Sequence, residues 1–178
     1  MKLLRTIQLD RSDTFVFERA AAPGEWAVSG AFAFMGQDVS ALRGKARTAF
    51  RAGFLGLNSL GRSTLAQIVD AREQDHRAVA ELLAAQLVAR FGAPDMAAAG
   101  AAAEEEIAFA ASLCDHRAGV IIAVTRSFEG GSIREAFRML RPSAQSPSRA
   151  FNFVEVVGED AMPEEHLDLA ELGKGAGA

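Results

Sequence analysis

The chain has 178 residues, of which 49% are hydrophobic and 24% are charged, a composition typical of a folded protein and not of a disordered one. Its net charge of −4 argues against a dedicated nucleic-acid-binding protein, and its single cysteine, Cys114, excludes an intrachain disulfide. The first ten residues carry charges where a signal peptide needs an apolar stretch. The longest apolar run, 120–124, is far shorter than the about 20 residues that cross a bilayer, so we expect a cytoplasmic protein without a membrane-embedded part.

The N-terminal third is predicted to consist of strands joined by turns. Apolar residues alternate along 3–9, and residues that favour a pleated surface are enriched in four later segments. Asp, Ser, Asn, Pro and Gly cluster at 10–13, 23–24 and 58–61, which is typical of turns. We therefore predict strands at 3–9, 14–17, 26–34, 46–57 and 63–69.

The middle of the chain is predicted to form two helices. Asp70 and Glu73 have the spacing of a capping box, and apolar residues then recur at helical intervals up to Phe91. Asp95 can cap a second helix from Met96 to about Cys114, with a stripe of small residues on one side. Because the linker between them is short, we expect an antiparallel two-helix hairpin.

The C-terminal third begins with a buried type of strand at 119–125. Residues 128–141 fit either a β-hairpin turning at Gly130 and Gly131 or a helix capped by Ser132 and Glu135. We favour the hairpin, because the remaining strands already indicate an antiparallel sheet. A last strand is predicted at 150–157, and an acidic segment with a frayed end at 158–178.

These elements predict an α+β fold: a mostly antiparallel, curved β-sheet with an inserted antiparallel two-helix hairpin. Residues 1–157 would form a single domain, and residues 158–178 would follow it as an acidic C-terminal segment.

A possible metal site follows from the helix hairpin. Folding the two helices back on each other would bring His76 close to Cys114, Asp115 and His116, whose side chains can bind a divalent transition metal. The alternative is that His76, Asp115 and His116 are ordinary helix-end residues and that no cofactor is bound. No sequence motif with metal-ligand spacing decides between them.

A basic run in the N-terminal third suggests a possible anion site. Residues 1–63 carry a net charge of +4, and the run concentrates Arg43, Lys45, Arg47 and Arg51 within nine residues. In a strand these four side chains would share one face, which could hold a phosphate or another anion. Alternatively, they would guard the edge of the sheet against aggregation, or contact an acidic partner or the acidic segment of the chain itself.

Several short motifs resemble an uncharacterised family of small bacterial proteins, a domain of unknown function. The motifs include Asp10, Ser12, Asp13 and Thr14, and later Phe151, Phe153, Val154 and Glu155. The resemblance implies no activity and no site residue. It does imply an association with gene neighbourhoods for molybdoenzyme maturation.

The sequence contains no nucleophile–base constellation and therefore favours a binding protein over an enzyme. We expect a non-catalytic accessory or interaction protein, serving the maturation of a cofactor-dependent oxidoreductase, with a protein partner and no nucleic acid. A metal-dependent function and an anion- or nucleotide-binding function are the alternatives. The pattern is compatible with a monomer or a homo-oligomer.

Overall fold

Within residues 1–141 and 155–156, which the computed structural model describes, eight strands form one sheet that curls into a half barrel. All of its strand pairings are antiparallel, and the spatial order is β4-β3-β2-β1-β5-β6-β7-β8. The strands are β1 (Lys2–Ile7), β2 (Trp26–Val28), β3 (Phe54–Gly56), β4 (Arg62–Ser63), β5 (Leu65–Asp70), β6 (Ile121–Glu129), β7 (Ser132–Arg141) and β8 (Glu155–Val156). The predicted curved, antiparallel sheet is confirmed.

Four α-helices accompany the sheet in the described residues, which confirms the α+β class. They are α1 (Ser12–Val16), α2 (Gly44–Ala52), α3 (Glu73–Arg90) and α4 (Met96–Ser112). Two short 3₁₀ turns, Ala31–Phe34 and Val39–Ala41, lie between β2 and α2. None of the described helices is both long enough and apolar enough to cross a membrane.

Both long helices form within the predicted segments and pack against each other. The capping box predicted from Asp70 and Glu73 is wrong, because Asp70 ends β5 and the Asp75 carboxylate accepts a hydrogen bond of 2.8 Å from the Arg72 amide at the start of α3. Asp95 caps α4 as predicted, since its Oδ1 accepts a hydrogen bond of 2.8 Å from the Ala98 amide. The small-residue stripe is buried apart from Met96, which is 56% exposed. Because alanines such as Ala99 and Ala103 occupy little space, α4 can lie close to α3 and to β1.

The β6–β7 hairpin confirms the preferred interpretation of residues 128–141. Glu129 pairs with Ser132, so Gly130 and Gly131 form a two-residue turn. Their φ angles of 57° and 80° are positive, as a type I′ turn requires, and glycine adopts them without steric cost. The alternative capped helix is therefore wrong. Of the predicted last strand, residues 155–156 form β8, and 150–154, 157 and the acidic segment lie outside the described residues.

Three predicted strands in the N-terminal third are wrong in whole or in part. Residues 14–17 belong largely to α1, whose buried Asp13 accepts a hydrogen bond from the Thr64 amide at 3.1 Å. The third strand ends at Val28, because Gly30 turns the chain with a φ of +75° and has no room for a side chain beside Leu55. The predicted strand 46–57 is helix α2 followed by the short strand β3.

Candidate functional site

The basic run forms a helix, which changes how its side chains are grouped. Arg43 is the residue before α2, and Arg47 and Arg51 follow at intervals of four, so these three arginines share one side of the helix. Lys45 is rotated away from them, since each residue turns the helix by about 100°. The grouping of four cations by strand periodicity is therefore wrong, and the structure brings three of them together.

These three arginines border a groove of about 530 Å³ between α2, the 3₁₀ turn Val39–Ala41 and the end of β6. We call it the arginine groove. Its cationic residues are Arg43, Arg47, Arg51 and Arg126, its hydroxyl groups come from Ser40 and Ser127, and its apolar residues are Val39, Phe50 and Phe128. Phe128 is 48% exposed, so a large apolar surface lies next to the positive charges.

Arg43 and Arg47 present their charge to solvent. Arg43 donates hydrogen bonds from Nη1 to the carbonyl oxygens of Ser40 (2.7 Å) and Leu42 (2.8 Å), which holds its guanidinium over the 3₁₀ turn. Both arginines are exposed, and within the described part of the chain neither forms an ion pair with a carboxylate. Their positive charge is therefore available to a bound anion.

Arg126 lies beneath the groove and is fully buried, with a side-chain exposure of 0%. Its Nε donates to Glu135 Oε1 at 2.6 Å, and Nη1 donates to the carbonyl oxygens of Phe50 (3.0 Å) and Gly53 (2.9 Å). Its Nη2 donates to the carbonyl and hydroxyl oxygens of Ser29. These bonds use all five guanidinium donors, so Arg126 acts structurally and fixes the C-terminal end of α2.

Two further ionisable groups are perturbed by this buried cluster. Burial, followed by the charge of Glu135, raises the pKa of Glu106 on α4 to about 7. Burial and repulsion by Arg126 lower the pKa of Arg62 to about 9, so this arginine stays protonated at neutral pH. The Arg62 guanidinium lies 4.7 Å above the ring of Phe34, a cation–π contact.

The predicted metal candidates are not brought together. His76 Nε2 lies 3.4 Å from Glu104 Oε2, Asp115 is exposed, and the His116 carbonyl accepts a hydrogen bond from Lys2 Nζ at 2.5 Å. The reason is that His76 lies against Glu104, more than two helical turns before the end of α4 at Ser112, whereas Asp115 and His116 belong to the turn that follows α4. Across residues 1–141 and 155–156, no three His, Cys, Asp or Glu side chains form a group that could hold a metal ion.

Cys114 does not have the properties of a reactive thiol. It is buried, and its Sγ donates to the carbonyl oxygen of Ala110 at 3.3 Å. Burial raises the pKa of its thiol to about 11, which leaves almost no thiolate at neutral pH.

The sequence analysis did not identify Arg126 and considered Glu135 only as a possible helix cap, although β6 contains a signal for Arg126. Ile122, Val124 and Arg126 follow each other at intervals of two, so Arg126 continues a buried face of the strand. An arginine at such a position needs a buried partner, and Glu135 is the residue directly opposite in β7.

A second surface groove, of about 500 Å³, lies on the exposed side of α3. Its charged residues have both signs, and Glu73 and Arg77 already pair with each other at 3.5 Å. It therefore lacks the single sign of charge that distinguishes the arginine groove.

Comparison with known proteins identifies a family, but no function is known for that family. No curated protein and no solved structure matches the chain. The model of one family matches residues 1–153 of the 178. The expected resemblance to a family of unknown function is confirmed, since the chain belongs to the family of unknown function DUF6505.

Proposed function

We propose that this protein is a non-catalytic accessory protein of the cytoplasm that binds an acidic segment of a partner protein in the arginine groove. One observation carries the proposal: Arg43, Arg47 and Arg51 line the same side of a groove that also exposes apolar surface. Arginine is suited to this role, since its planar guanidinium can bind a carboxylate through two parallel hydrogen bonds.

The apolar residues of the groove favour a peptide over a nucleic acid. Phe128, which is 48% exposed, can contact aliphatic side chains that alternate with carboxylates, whereas a phosphate backbone offers no such groups. The net charge of −4 further opposes association with a polynucleotide.

The buried ionisable groups support binding over catalysis. Arg126 has all five donors engaged with Glu135, Ser29 and backbone carbonyls, and the Cys114 thiol is protonated. The family resemblance suggests enzymes of the molybdoenzyme type as the partners, with the protein assisting their maturation. Copurification with tagged protein would identify such a partner.

A binding titration with a labelled peptide tests the proposal. The probe is a fluorescein-labelled peptide of the sequence Glu-Glu-Leu-Glu-Glu-Leu, followed by fluorescence anisotropy at low salt. We expect the groove variant, Arg43→Ala with Arg47→Ala, to bind about tenfold more weakly or worse, because two charge-assisted contacts are lost. Alanine is a strong helix former, so α2 should be retained.

The matched control removes the same charge elsewhere. Arg90 in the last turn of α3 and Arg117 in the loop after α4 are both exposed and lie outside the groove. The control variant, Arg90→Ala with Arg117→Ala, should bind within about twofold of the wild type, since neither residue lines the groove and salt screens exposed charges that do not contact the peptide. Equal affinity of the wild type and the groove variant would contradict the proposal. Displacement of the peptide by micromolar ATP or inorganic phosphate would replace it with a small-anion site.

A further inference from the structure

We propose that the acidic segment 158–178 of this same chain occupies the arginine groove when no partner is bound, and that a partner must displace it. This inference rests on the proposed function and adds its regulation. It follows from the direction in which β8 leads the chain, the distance to be covered, and the charge and apolar pattern of the segment.

The direction of β8 points the following residues towards the groove. Val156 pairs with Leu140 and Glu155 with Arg141, so β8 runs antiparallel to β7 and heads towards the β6–β7 turn. Phe128 of the groove lies near that turn, opposite Ile133 of β7. Ile133 in turn packs against the cluster of Phe34, Val39 and Phe50, which includes two apolar residues of the groove.

The distance is short compared with the length of the segment. Leu140 and Ile133 are seven residues apart in β7, or about 24 Å at about 3.4 Å per strand residue. After Val156, 22 residues remain in the sequence, which can extend over as much as about 75 Å. The segment can therefore reach the groove and still lie along it.

The composition of the segment complements the groove. Among its side chains are six carboxylates and only one lysine, Lys174. The carboxylates are Glu159, Asp160, Glu164, Glu165, Asp168 and Glu171, and the apolar residues among them are Met162, Leu167, Leu169 and Leu172. This alternation of acidic and aliphatic residues is the pattern that the arginines and the exposed Phe128 would bind.

Covalent attachment gives the segment an advantage over a separate peptide. A short linker sets an effective concentration of about a millimolar, so even weak contacts keep the groove occupied. A partner peptide therefore binds more weakly to the full chain than to a groove that is empty.

Neutralising the segment in the full-length protein tests this competition. The segment variant carries Glu164→Gln, Glu165→Gln, Asp168→Asn and Glu171→Gln. Its charge-matched control carries Glu18→Gln, Glu81→Gln, Glu105→Gln and Asp115→Asn, four exposed positions on the described surface. We expect the segment variant to bind the labelled peptide about fivefold more tightly than the wild type, and the control to bind it within about twofold.

Proteolysis gives a second readout that needs no peptide probe. Glu-C protease cleaves after glutamate, and cleavage after Glu164, Glu165 and Glu171 is compared with cleavage after the exposed Glu18 as an internal standard. The groove variant should lose protection of the segment, so its relative cleavage rate rises at least about threefold, whereas the Arg90→Ala, Arg117→Ala control should match the wild type.

The two experiments separate failure of the inference from failure of the proposed function. Equal cleavage of the segment in the wild type and the groove variant overturns the inference, as does equal peptide affinity of the wild type and the segment variant. If the peptide binds neither the wild type nor the segment variant, the proposed function is overturned, and the cleavage rates still decide whether the segment occupies the groove.

Discussion

At the scale of single residues, Glu106 is the acid that the fold perturbs most clearly. Its carboxyl group lies partly buried between α4 and the buried cluster, and burial is the main cause of its raised pKa of about 7. The negative charge of Glu135 adds to the effect, while Arg126 opposes it. The folded protein therefore holds a proton on Glu106 that the unfolded chain releases near the ordinary pKa of 4.5.

We predict that Glu106 makes the protein less stable as the pH rises from about 5 to 8. In this range the folded state binds more protons than the unfolded state, so the free energy of unfolding falls with pH. Replacing Glu106 with Gln should reduce this fall, measured by urea denaturation at pH 5.5 and pH 8.5. The exposed Glu18 supplies the control, because it is not among the charges that shift the pKa of Glu106, so Glu18→Gln should keep the wild-type slope. An unchanged pH dependence in the Glu106→Gln variant would contradict the assigned pKa.

At the scale of elements, Arg126 joins α2 to the sheet. Its guanidinium in β6 donates hydrogen bonds to the carbonyl oxygens of Phe50 and Gly53 at the C-terminal end of the helix, where the helix dipole favours a positive charge. The same side chain pairs with Glu135 of β7. The position of the arginine groove therefore depends on one buried cation.

We predict that Arg126→Met destabilises the protein by about 3–5 kcal/mol, because it removes the bonds to α2 and leaves Glu135, whose side chain is only 15% exposed, without its cation. Urea denaturation measures the loss. The double variant Arg126→Met with Glu135→Met should recover part of it, since no unpaired charge then remains buried. A loss below about 1 kcal/mol in the single variant would show that Arg126 does not hold the helix.

The elements also show what the sequence can and cannot determine. The helices α3 and α4 and the β6–β7 hairpin were predicted correctly, because helical periodicity, the Asp95 cap and the turn glycines are local signals. Helix α2 was mistaken for a strand, because its basic residues fit a period of two as well as an interval of four. The helix is fixed by distant contacts, namely Phe50 against Phe34 and the bonds from Arg126.

The candidate site, like the fold, could be predicted from the sequence only in part. Arg43, Arg47 and Arg51 could be selected from the sequence, since a concentrated charge is visible without a fold. The apolar side of the groove could not, because Val39, Phe50 and Phe128 come from separate segments that only the sheet brings together. The predicted grouping of His76 with Asp115 and His116 did not form, because packing of the two helices places His76 against Glu104 near the middle of α4.

At the scale of the whole molecule, charge is divided along the sequence. Residues 1–63 carry a net charge of +4 and residues 64–178 carry −8, of which the segment 158–178 contributes −5. Arg43, Arg47 and Arg51 of the groove belong to the positive part, while the acidic segment belongs to the negative part. Binding of an acidic segment in the groove, either from this chain or from a partner, would depend on this separation of positive and negative charge.

The most direct test of the central claim is an amide chemical-shift map of the isotopically labelled full chain during titration with the unlabelled Glu-Glu-Leu-Glu-Glu-Leu peptide. We expect saturable shifts concentrated at 39–40, 43–51 and 126–128, the three segments that line the arginine groove. Shifts centred on residues 72–81 of the α3 surface, or no saturable shift at all, would contradict the assignment of this groove as the binding site.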